Sequence, residues 1–382
     1  MSRRVMLVST AAPDRPHGSM VRYGAMVRAA LERHAAGFGT VEELNLSPPQ
    51  AWLNRFPAGW REPIRYARIA ANARRLLPAQ GDGILHLLDG SHAYLLGAVR
   101  QLSGPLVVTV HDLIPALCLR GELAGERPGR GAAWIVHRTL ADLARADAWV
   151  ADSANTRSNL VRLVGMDSNR VRVVHPAVSV GAGRAAAGGN SGNASPYILH
   201  VAGNNNFYKN RPGVIEVFAV IRRSVPVKLK LVGPPPDAVL RQAIVRTGTA
   251  AAIEFLSDMP EAGLAAMYRG AAFLLFPSTY EGFGWPPLEA MAFGCPVVCS
   301  TAGSLAEVVG GAALTAAPDD VSGLAAHGME ILLNPATRQR LVAAGYDHAR
   351  KFSLAALATG LVQAYQAAEE VFRQRSENGR RI

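Results

Sequence analysis

The sequence contains little cysteine, and this scarcity limits the kinds of site it can build. Only three cysteines occur in 382 residues, namely Cys118, Cys295 and Cys299. Cys295 and Cys299 flank a short predicted strand, and no histidine accompanies them at the spacing of a zinc ligand set. We therefore expect neither a disulfide framework nor a structural zinc site, and this usage favours a reducing, cytoplasmic setting.

Long apolar runs are also lacking. No stretch approaches the roughly eighteen apolar residues that span a bilayer. The opening MSRRVMLVST carries an apolar run too short for a signal sequence, so we expect it to form the first buried strand of a sheet. The turn after the first predicted strand, residues 10–24, contains no G-x-G-x-x-G, which leaves a nicotinamide cofactor unsupported, and the sequence has no Walker lysine motif.

Acidic residues are outnumbered. There are 40 Lys+Arg, nearly all arginine, against 29 Asp+Glu, a formal net charge of +11. Such a charge favours an anionic partner, either nucleic acid, an acidic lipid surface or a phosphorylated substrate, unless the arginines merely reflect codon bias. No helix-turn-helix, RNP or zinc-finger pattern accompanies the basic residues, so nucleic acid is not the expected partner.

The first half of the chain alternates apolar strands with helical stretches. Strands are predicted from continuous Val, Ile and Leu runs, and helices from apolar residues at helical spacing. Runs without alternation are typical of a parallel sheet buried on both faces. The predicted strands are 4–9, 39–46, 83–89, 105–112, 148–154 and 171–178, and the predicted helices are 20–34, 94–102 and 155–164.

Residues 181–195, GAGRAAAGGNSGNAS, have nothing to bury and are predicted to be an interdomain linker. A second series of strands follows at 196–203, 227–233, 251–256, 271–278, 296–300 and 313–317. We therefore predict an α/β protein with two Rossmann-like domains around a cleft, rather than one larger sheet. The predicted domains are 1–183 and 184–353, and a C-terminal helix, 354–382, is expected to pack back on the first.

The densest cluster of unusual residues is FPSTYEGFGWPPLEAMAFGCPVVCS, residues 276–300. Glu281 falls in a glycine-bearing loop after a predicted strand, and Glu289 is predicted to lie in the first turn of the helix that follows. Carboxylates accept hydrogen bonds from paired hydroxyls, as on a sugar or a ribose. Taken singly, Glu281 is equally compatible with a solvated loop acid, and Glu289 with an acid that complements the helix dipole.

Together, EGFGWPPLEAMAFGCPVV and the following STAGSLAEVVGGAAL resemble the donor-site signature of the retaining GT-B glycosyltransferases of carbohydrate-enzyme family four. The resemblance implies that Glu281 contacts the transferred sugar, that Glu289 binds the ribose, and that the backbone of Gly282, Phe283 and Gly284 lies against sugar and phosphates. It also implies transfer with retention of configuration and without a divalent metal. The sequence contains no Asp-x-Asp.

A second motif, VAGNNNFYKNRPGVIEVF, spans residues 201–218. Lys209 is placed where a cation could neutralise a diphosphate leaving group, although a solvated loop lysine is the alternative. Members of the family often have an arginine about five residues before this lysine. Asn204 occupies that place, so one expected charge at the donor site is missing, and Arg211 is a candidate to replace it.

The first domain offers further candidates at strand ends. His111 and Asp112 follow one strand in VTVHDLIP, and His111 resembles the family's cleft histidine, although a structural cap is the alternative. Asp89 and His92 follow another strand. Gly18 opens the helix after the first strand, where family members let the donor phosphate approach the backbone.

These features predict a glycosyltransferase that moves a sugar, mannose being the first candidate, from a nucleotide-diphosphate sugar to a glycan or lipid-linked acceptor of the bacterial surface. Residues 54–80 interleave arginines with aromatic and aliphatic residues. They are compatible with a helix on an anionic membrane surface or with an ordinary amphipathic helix packed on the sheet. The alternatives are a GT-B relative with other chemistry, such as an epimerase, or a degenerate non-catalytic subunit.

Overall fold

The computed structural model describes residues 3–14, 18–77, 83–99, 103–125, 127–179, 196–204, 206–257 and 259–379. The chain divides into two compact units. Unit 1 comprises Met1–Ala177 and Ser353–Ile382, and unit 2 comprises Val178–Phe352. The predicted linker 181–195 and the predicted domain boundary at 183/184 lie outside the described residues.

Unit 1 is built on one six-stranded sheet. Its strands are β1 (Arg3–Ser9), β2 (Gly39–Asn45), β3 (Ile84–Leu87), β4 (Leu106–Val110), β5 (Ala148–Ala151) and β6 (Val171–Val173). Its helices are α1 (Ser19–His34), α2 (Gln50–Leu53), α3 (Ala58–Leu76), α4 (Ile114–Leu119), α5 (Arg130–Leu143), α6 (Ala154–Val164) and, from the end of the chain, α14 (Leu354–Gly379). 3₁₀ helices occur at Gly90–Ala98 and Ser168–Arg170.

The sheet of unit 1 is parallel throughout and has the order β2-β1-β3-β4-β5-β6. The central strands β3, β4 and β5 are buried along their whole length, as expected for a sheet covered by helices on both faces. The chain runs outward from β1 to β2, then returns to continue from β3. The carboxyl ends of β1 and β3 therefore border the crevice where ligands bind in open α/β sheets.

Helix α14 packs against α1 and against β4, β5 and β6. Leu357, Leu361 and Tyr365 on this helix are almost fully buried. The Tyr365 hydroxyl lies 2.8 Å from Nδ1 of His86, a buried residue of β3. The last helix of the chain is thus part of the core of unit 1.

Unit 2 has its own six-stranded parallel sheet. Its strands are β7 (Tyr197–Val201), β8 (Lys228–Val232), β9 (Ile253–Leu256), β10 (Phe273–Phe276), β11 (Val297–Ser300) and β12 (Leu314–Ala316). Its helices are α7 (Arg211–Ser224), α8 (Ala238–Thr247), α9 (Glu261–Gly270), α10 (Trp285–Ala292), α11 (Leu305–Val309), α12 (Val321–Leu333) and α13 (Pro335–Ala349). Short 3₁₀ helices lie at Phe207–Lys209, Ala250–Ala252 and Gly310–Ala312.

The strand order of unit 2 is β12-β11-β10-β7-β8-β9. The chain moves outward from β7 to β9 and returns at β10, so the reversal lies between β7 and β10. The two loops that leave these strands meet at the point where such sheets bind ligands. Buried residues cover both faces of the sheet, with Leu274 and Phe276 in one core and Phe273 and Leu275 in the other.

Most predicted strands and helices are present with trimmed ends, but two differ. The helix predicted at 94–102 is instead the 3₁₀ helix Gly90–Ala98, which starts earlier because the Asp89 side chain accepts the Ser91 N–H at its N-terminus. The strand predicted at 171–178 is limited to Val171–Val173. Among the described residues, no helix is both long and apolar enough to cross a membrane.

Candidate active site

An ion pair between Lys209 and Glu281 lies at the strand-order reversal of unit 2. The Lys209 ammonium donates to both carboxylate oxygens of Glu281, each at 2.9 Å. The side chains are only 13% and 7% exposed, so water screens this pair weakly. Lys209 ends the segment after β7, and Glu281 lies in the loop after β10. The topology therefore brings together two residues that are 72 positions apart in the sequence.

The loop that carries Lys209 is held in place by Asn210. Asn210 has a left-handed backbone with φ 48°, and its side chain accepts the Gly213 N–H at the start of α7. The same side chain donates to the carbonyls of Pro277 and Pro318, at 2.9 and 3.3 Å. One amide thus caps a helix and joins the loops that follow β10 and β12, which fixes Lys209 beside Glu281.

The backbone at Glu281 is fixed from the other side by the turn before α11. The Ser304 hydroxyl donates to the carbonyls of Glu281 and Phe283, at 3.1 and 2.7 Å. Gly303 has φ 62°, and a Cβ there would lie 2.4 Å from the Glu281 carbonyl oxygen. Only glycine fits this close approach without moving the loop. The carboxylate of Glu281 is therefore presented by a rigid backbone.

Glu289 lies in α10 and is 6% exposed. Helix α10 begins at Trp285, and its first turn contains no acidic residue, so the predicted first-turn position of Glu289 is wrong. The helix starts one residue before the prolines because Gly284 leaves the loop with φ 101°. In the second turn the Glu289 carboxylate accepts the hydroxyl of Tyr268, a residue of α9, at 3.1 Å, so the alternative of an acid that complements the helix dipole does not describe its position.

The loop that leads into α10 lies between the two glutamates. It consists of Gly282, Phe283 and Gly284, whose backbone is predicted to contact the donor. The Phe283 side chain is 4% exposed and packs edge-on against Phe352, with ring centroids 6.1 Å apart. Its side chain therefore anchors the loop in the core. A buried side chain leaves a backbone contact, the kind that the resemblance implies, as the way in which Phe283 could touch a ligand.

Asn204 and Arg211, the residues around the missing arginine, lie in different surroundings. Asn204 is exposed, and its side chain accepts the N–H of Asn206 at 3.1 Å, so it shapes its own turn. Arg211 is 4% exposed at the start of α7, where burial lowers its pKa and the Asp237 charge opposes that effect. Neither position places an exposed cation in this loop.

In unit 1, His111 follows β4 and is held by acceptors on both ring nitrogens. Nε2 lies 3.0 Å from the Leu88 carbonyl, and Nδ1 lies 3.4 Å from a carboxylate oxygen of Asp152. The Tyr23 ring meets the imidazole edge-on at 4.6 Å. Burial by itself lowers the pKa of His111, but the hydrogen bond and charge of Asp152 outweigh it and raise that pKa to about 9. An imidazolium, with two N–H donors, suits both contacts.

The other candidates of unit 1 lie at the same edge of the sheet. Gly18 is the N-cap residue of α1, the first helix after β1. Asp89 and His92 follow β3, and Nδ1 of His92 lies 3.2 Å from the Thr10 hydroxyl at the end of β1. His92 and Thr10 thus link β1 and β3, the two strands that border the reversal of strand order in unit 1. His92 therefore has a structural contact.

Asp112, next to His111, is a partly buried carboxyl on which the charges of Asp152, His111 and Asp89 also act. Its Oδ1 accepts the Ile114 N–H at 3.0 Å. Burial raises the pKa of Asp112 to about 6, and the Ile114 hydrogen bond only partly offsets this.

Comparison with known proteins identifies the chain. Residues 28–181 match the model described as Glycosyltransferase Family 4, and residues 189–348 match Glycosyl transferases group 1. A D-inositol 3-phosphate glycosyltransferase of Nocardia farcinica is 30% identical over 334 residues, 79% of this chain and 70% of the relative. The chain belongs to glycosyltransferase family 4.

The relatives of this glycosyltransferase do not all share one substrate in their names. The O-antigen chain mannosyltransferase B of Escherichia coli is 36% identical over 162 residues, which are 41% of this chain. The match spans 42% of that relative's length. A second D-inositol 3-phosphate glycosyltransferase, from Frankia alni, is 28% identical over 86% of this chain and 83% of its own.

Solved structures agree in fold. A sucrose-phosphate synthase from Thermosynechococcus elongatus aligns with a TM-score of 0.73 at 19% identity, covering 95% of this chain and 98% of its own. An α,α-trehalose-phosphate synthase from Burkholderia vietnamiensis gives 0.70 at 16% identity, over 96% and 99%. At these identities the likeness establishes the GT-B fold of this glycosyltransferase and nothing finer.

Several residues that shape the site were missed from the sequence. Asp152 follows β5 at the ligand-binding edge, so the strand-end rule could have found it. Asn210 directly precedes the helix-opening Arg-Pro-Gly and carries the signal of an N-cap. Tyr268 and Gly303 gave no local signal, because their importance depends on contacts with residues more than twenty positions away.

Proposed function

We propose that this glycosyltransferase moves a hexose, with mannose as the first candidate, from a nucleotide-diphosphate sugar to a glycan or lipid-linked acceptor. The proposed setting is bacterial cell-surface polysaccharide synthesis, and the proposed outcome is retention of anomeric configuration. The observation that carries it is the Lys209–Glu281 pair at the strand-order reversal of unit 2. The name of the E. coli relative, an O-antigen chain mannosyltransferase, supports mannose and surface polysaccharide.

In this proposal unit 2 binds the donor. An ammonium has three N–H bonds, and two of those on Lys209 are directed at Glu281, so the third can reach a diphosphate oxygen. Lys209 then offsets charge that develops on the leaving diphosphate. Glu281 accepts hydrogen bonds from the hydroxyls of the transferred sugar. The backbone N–H groups of Gly282, Phe283 and Gly284 and the start of α10 receive the phosphates.

Glu289 is proposed to hold the ribose. A carboxylate has acceptor positions on two oxygens, and the Tyr268 hydroxyl approaches one of them. Asn204 contributes polar contacts to the donor rather than charge. In unit 1, Gly18 would let a phosphate approach the first turn of α1, and His111 would act on the sugar or acceptor. The leaving diphosphate itself would assist deprotonation of the acceptor, so that no divalent metal is required.

A panel of UDP-, GDP- and dTDP-sugars tests the donor. One solved structure of the same fold, that of Anabaena HepE, is a complex with UDP and glucose, so UDP-glucose belongs in the panel beside GDP-mannose. We expect one nucleotide sugar to raise the melting temperature and to be hydrolysed slowly without acceptor, with no loss of hydrolysis in EDTA. If no nucleotide sugar stabilises the protein, the donor site is assigned wrongly.

An anionic membrane surface is a second proposed partner, at the inner face of the plasma membrane. Trp60 on α3 is 65% exposed, and an exposed tryptophan beside arginines is a feature of helices that lie in a membrane interface. Arg61 and Arg65 point partly inward and donate to the carbonyls of Phe56 and Thr10, so part of the basic face stabilises unit 1 instead. We expect co-sedimentation with phosphatidylglycerol vesicles and weaker co-sedimentation of Trp60→Ala. Equal binding of both proteins would remove this role for α3.

A further inference from the structure

Unit 1 contains a cavity that none of the roles above uses. It has a volume of about 250 Å³, opens to the surface, and lies at the carboxyl edge of the sheet, where the segments after β3 and β4 meet α5. Its walls are mainly apolar and include Leu113, Pro115, Ile135, Val136 and Leu140. The α5 contributors recur at helical spacing, so one face of that helix lines the cavity.

The cavity is large enough to hold a chemical group. About 250 Å³ corresponds to roughly eight water molecules at ~30 Å³ each. Water in a mostly apolar space finds few hydrogen-bond partners. An apolar group that displaces such water gains affinity.

Four of the lining residues have polar side chains, namely Tyr66, Ser91, Asp112 and Thr139. The Thr139 hydroxyl donates to the Ser91 carbonyl at 3.3 Å, and the Ser91 hydroxyl lies 3.1 Å from Nδ1 of His92. Asp112 contributes a carboxyl, one oxygen of which accepts the Ile114 N–H. Burial raises the pKa of this carboxyl to about 6. A carboxyl in such a place is suited to accept a hydrogen bond from a hydroxyl.

A bare sugar ring matches this cavity poorly, because hydroxyls surround the ring and the apolar walls cannot satisfy them. An alkyl or aryl group matches it well. The usual ligand site has this composition, apolar walls with a small number of placed polar groups.

We propose that the cavity binds an apolar substituent of the acceptor, an alkyl or aryl group of about six to eight carbons, while an adjacent hydroxyl of the acceptor donates to Asp112. This inference rests on the proposed function, since it assigns the acceptor's chemical class. It places the acceptor's apolar end in unit 1, whereas the proposed donor contacts Lys209, Glu281 and Glu289 belong to unit 2.

Binding of paired glycosides tests the proposal without any transfer reaction. Hexyl and methyl α-D-mannoside differ only in the apolar group, and isothermal titration compares them on the full-length protein. We expect the hexyl glycoside to bind at least tenfold more tightly, because burying each further methylene adds to affinity. Equal affinity of the two glycosides, or binding of neither, would overturn the proposal. The nucleotide-sugar panel decides the donor site independently of this result.

Two variants on α5 show whether the hexyl group occupies the cavity. Ala132 is an exposed residue on the rim, so Ala132→Phe fills the cavity while leaving the core intact. His137 is exposed on the same helix and does not line the cavity, which makes His137→Phe the matched control. We expect Ala132→Phe to abolish the hexyl advantage and His137→Phe to keep it. A hexyl advantage that survives Ala132→Phe would mean binding elsewhere.

The proposed contact between the Asp112 carboxyl and the acceptor hydroxyl has a separate test. Asp112→Asn is expected to weaken both glycosides by a similar factor, roughly two- to tenfold, because it alters the contact with the hydroxyl and not with the chain. A change confined to the hexyl glycoside would contradict the assignment of Asp112 to the hydroxyl.

Discussion

Glu281 and Glu289 are two buried carboxylates in one short segment, and their neighbours give them different properties. Glu281 is paired with the Lys209 ammonium, while Glu289 accepts from a neutral phenol, Tyr268. A carboxylate paired with a cation is suited to the neighbourhood of the leaving diphosphate, because the cation can offset the charge that develops there. A carboxylate with a neutral partner keeps its acceptor strength for hydroxyls. The different roles proposed for the two residues follow from this contrast.

The first prediction separates these two roles. Glu281→Gln keeps the shape of the side chain but not its charge, and we expect it to abolish transfer while leaving most of the nucleotide affinity. Glu289→Ala is expected to weaken nucleotide binding by roughly tenfold or more, because hydrogen bonds to a charged acceptor are among the stronger ones. Titration of the nucleotide and an assay of transfer measure the two effects.

Tyr268→Phe serves as the control for Glu289. It removes only the hydroxyl that contacts the carboxylate, so a small loss of affinity is expected. If wild type and Glu289→Ala bind the nucleotide equally, Glu289 does not hold the ribose.

The second prediction concerns the charge of His111. Four titratable groups act on its ring or lie against it, namely Asp152, Asp89, His86 and Tyr23, and Asp112 is its chain neighbour. Asp152→Asn removes the main stabilising charge, so the His111 pKa should fall well below about 9, because only the Asp89 charge and the Leu88 hydrogen bond then oppose the lowering by burial. NMR titration of the imidazole measures this change.

The sign of the stability effect follows from the same shift. Protonation of His111 stabilises the folded state below pH ~6.5, and this contribution is lost as the pH rises through about 9. The melting temperature of wild type should therefore exceed that of Asp152→Asn at pH 6 by more than at pH 9.5. A difference that is constant across this range would show that the pair does not share a proton-linked charge.

At the scale of elements, the loop after β10, which carries Glu281, depends on a turn outside that loop. The turn before α11 supplies Gly303 and Ser304, which lie against the backbone of Glu281. The site loop therefore depends on a segment more than twenty residues later in the chain.

The third prediction tests this dependence. Gly303→Ala adds a methyl group 2.4 Å from the Glu281 carbonyl oxygen at φ 62°, so the loop must move. We expect a loss of about 1–3 kcal/mol in the free energy of unfolding together with a large loss of transfer. Gly311→Ala is the matched control, because its Cβ would meet nothing within 4 Å. Wild-type activity in Gly303→Ala would show that the position of Glu281 does not depend on this turn.

At the scale of the whole molecule, each unit has its own sheet and its own buried core, yet unit 1 is assembled from both ends of the chain. Helix α14 buries Leu357, Leu361 and Tyr365 against it. Two cores in one chain favour two thermal transitions. A ligand that binds one unit should raise the transition of that unit.

The fourth prediction uses this division. A chain that ends at Ser353 should lose the transition of unit 1, because the face that α14 covers becomes exposed, while the transition that nucleotide raises remains. In the full chain, Leu361→Ala should lower the melting temperature only of the transition that nucleotide does not raise. The expected loss in the free energy of unfolding of that unit is ~2–5 kcal/mol, the usual cost of truncating a buried leucine. Calorimetry with and without nucleotide measures both. Loss of the nucleotide-responsive transition in the shortened chain would contradict independent units.

The class of fold and the candidate segments could be predicted from the sequence. Continuous apolar strands separated by helical stretches are typical of parallel sheets buried on both faces, and the Glu281–Glu289 segment carries its family signature locally. Glycine, proline and apolar periodicity act over a few residues, so they are readable without a structure. The same local signals predicted the wrong helical turn for Glu289. With the left-handed Gly284 as its N-cap, α10 starts at Trp285, earlier in the sequence than the prolines indicate.

Which residues meet could be read only from the folded chain. The strand order that reverses between β7 and β10 brings Lys209 to Glu281, and the Tyr268–Glu289 and Asp152–His111 contacts likewise join different elements. The cavity beside Asp112 is also invisible in the sequence, since α5 and the segments after β3 and β4 form it together. Contacts of this kind depend on how helices and strands pack in space, and local residue patterns do not encode that packing.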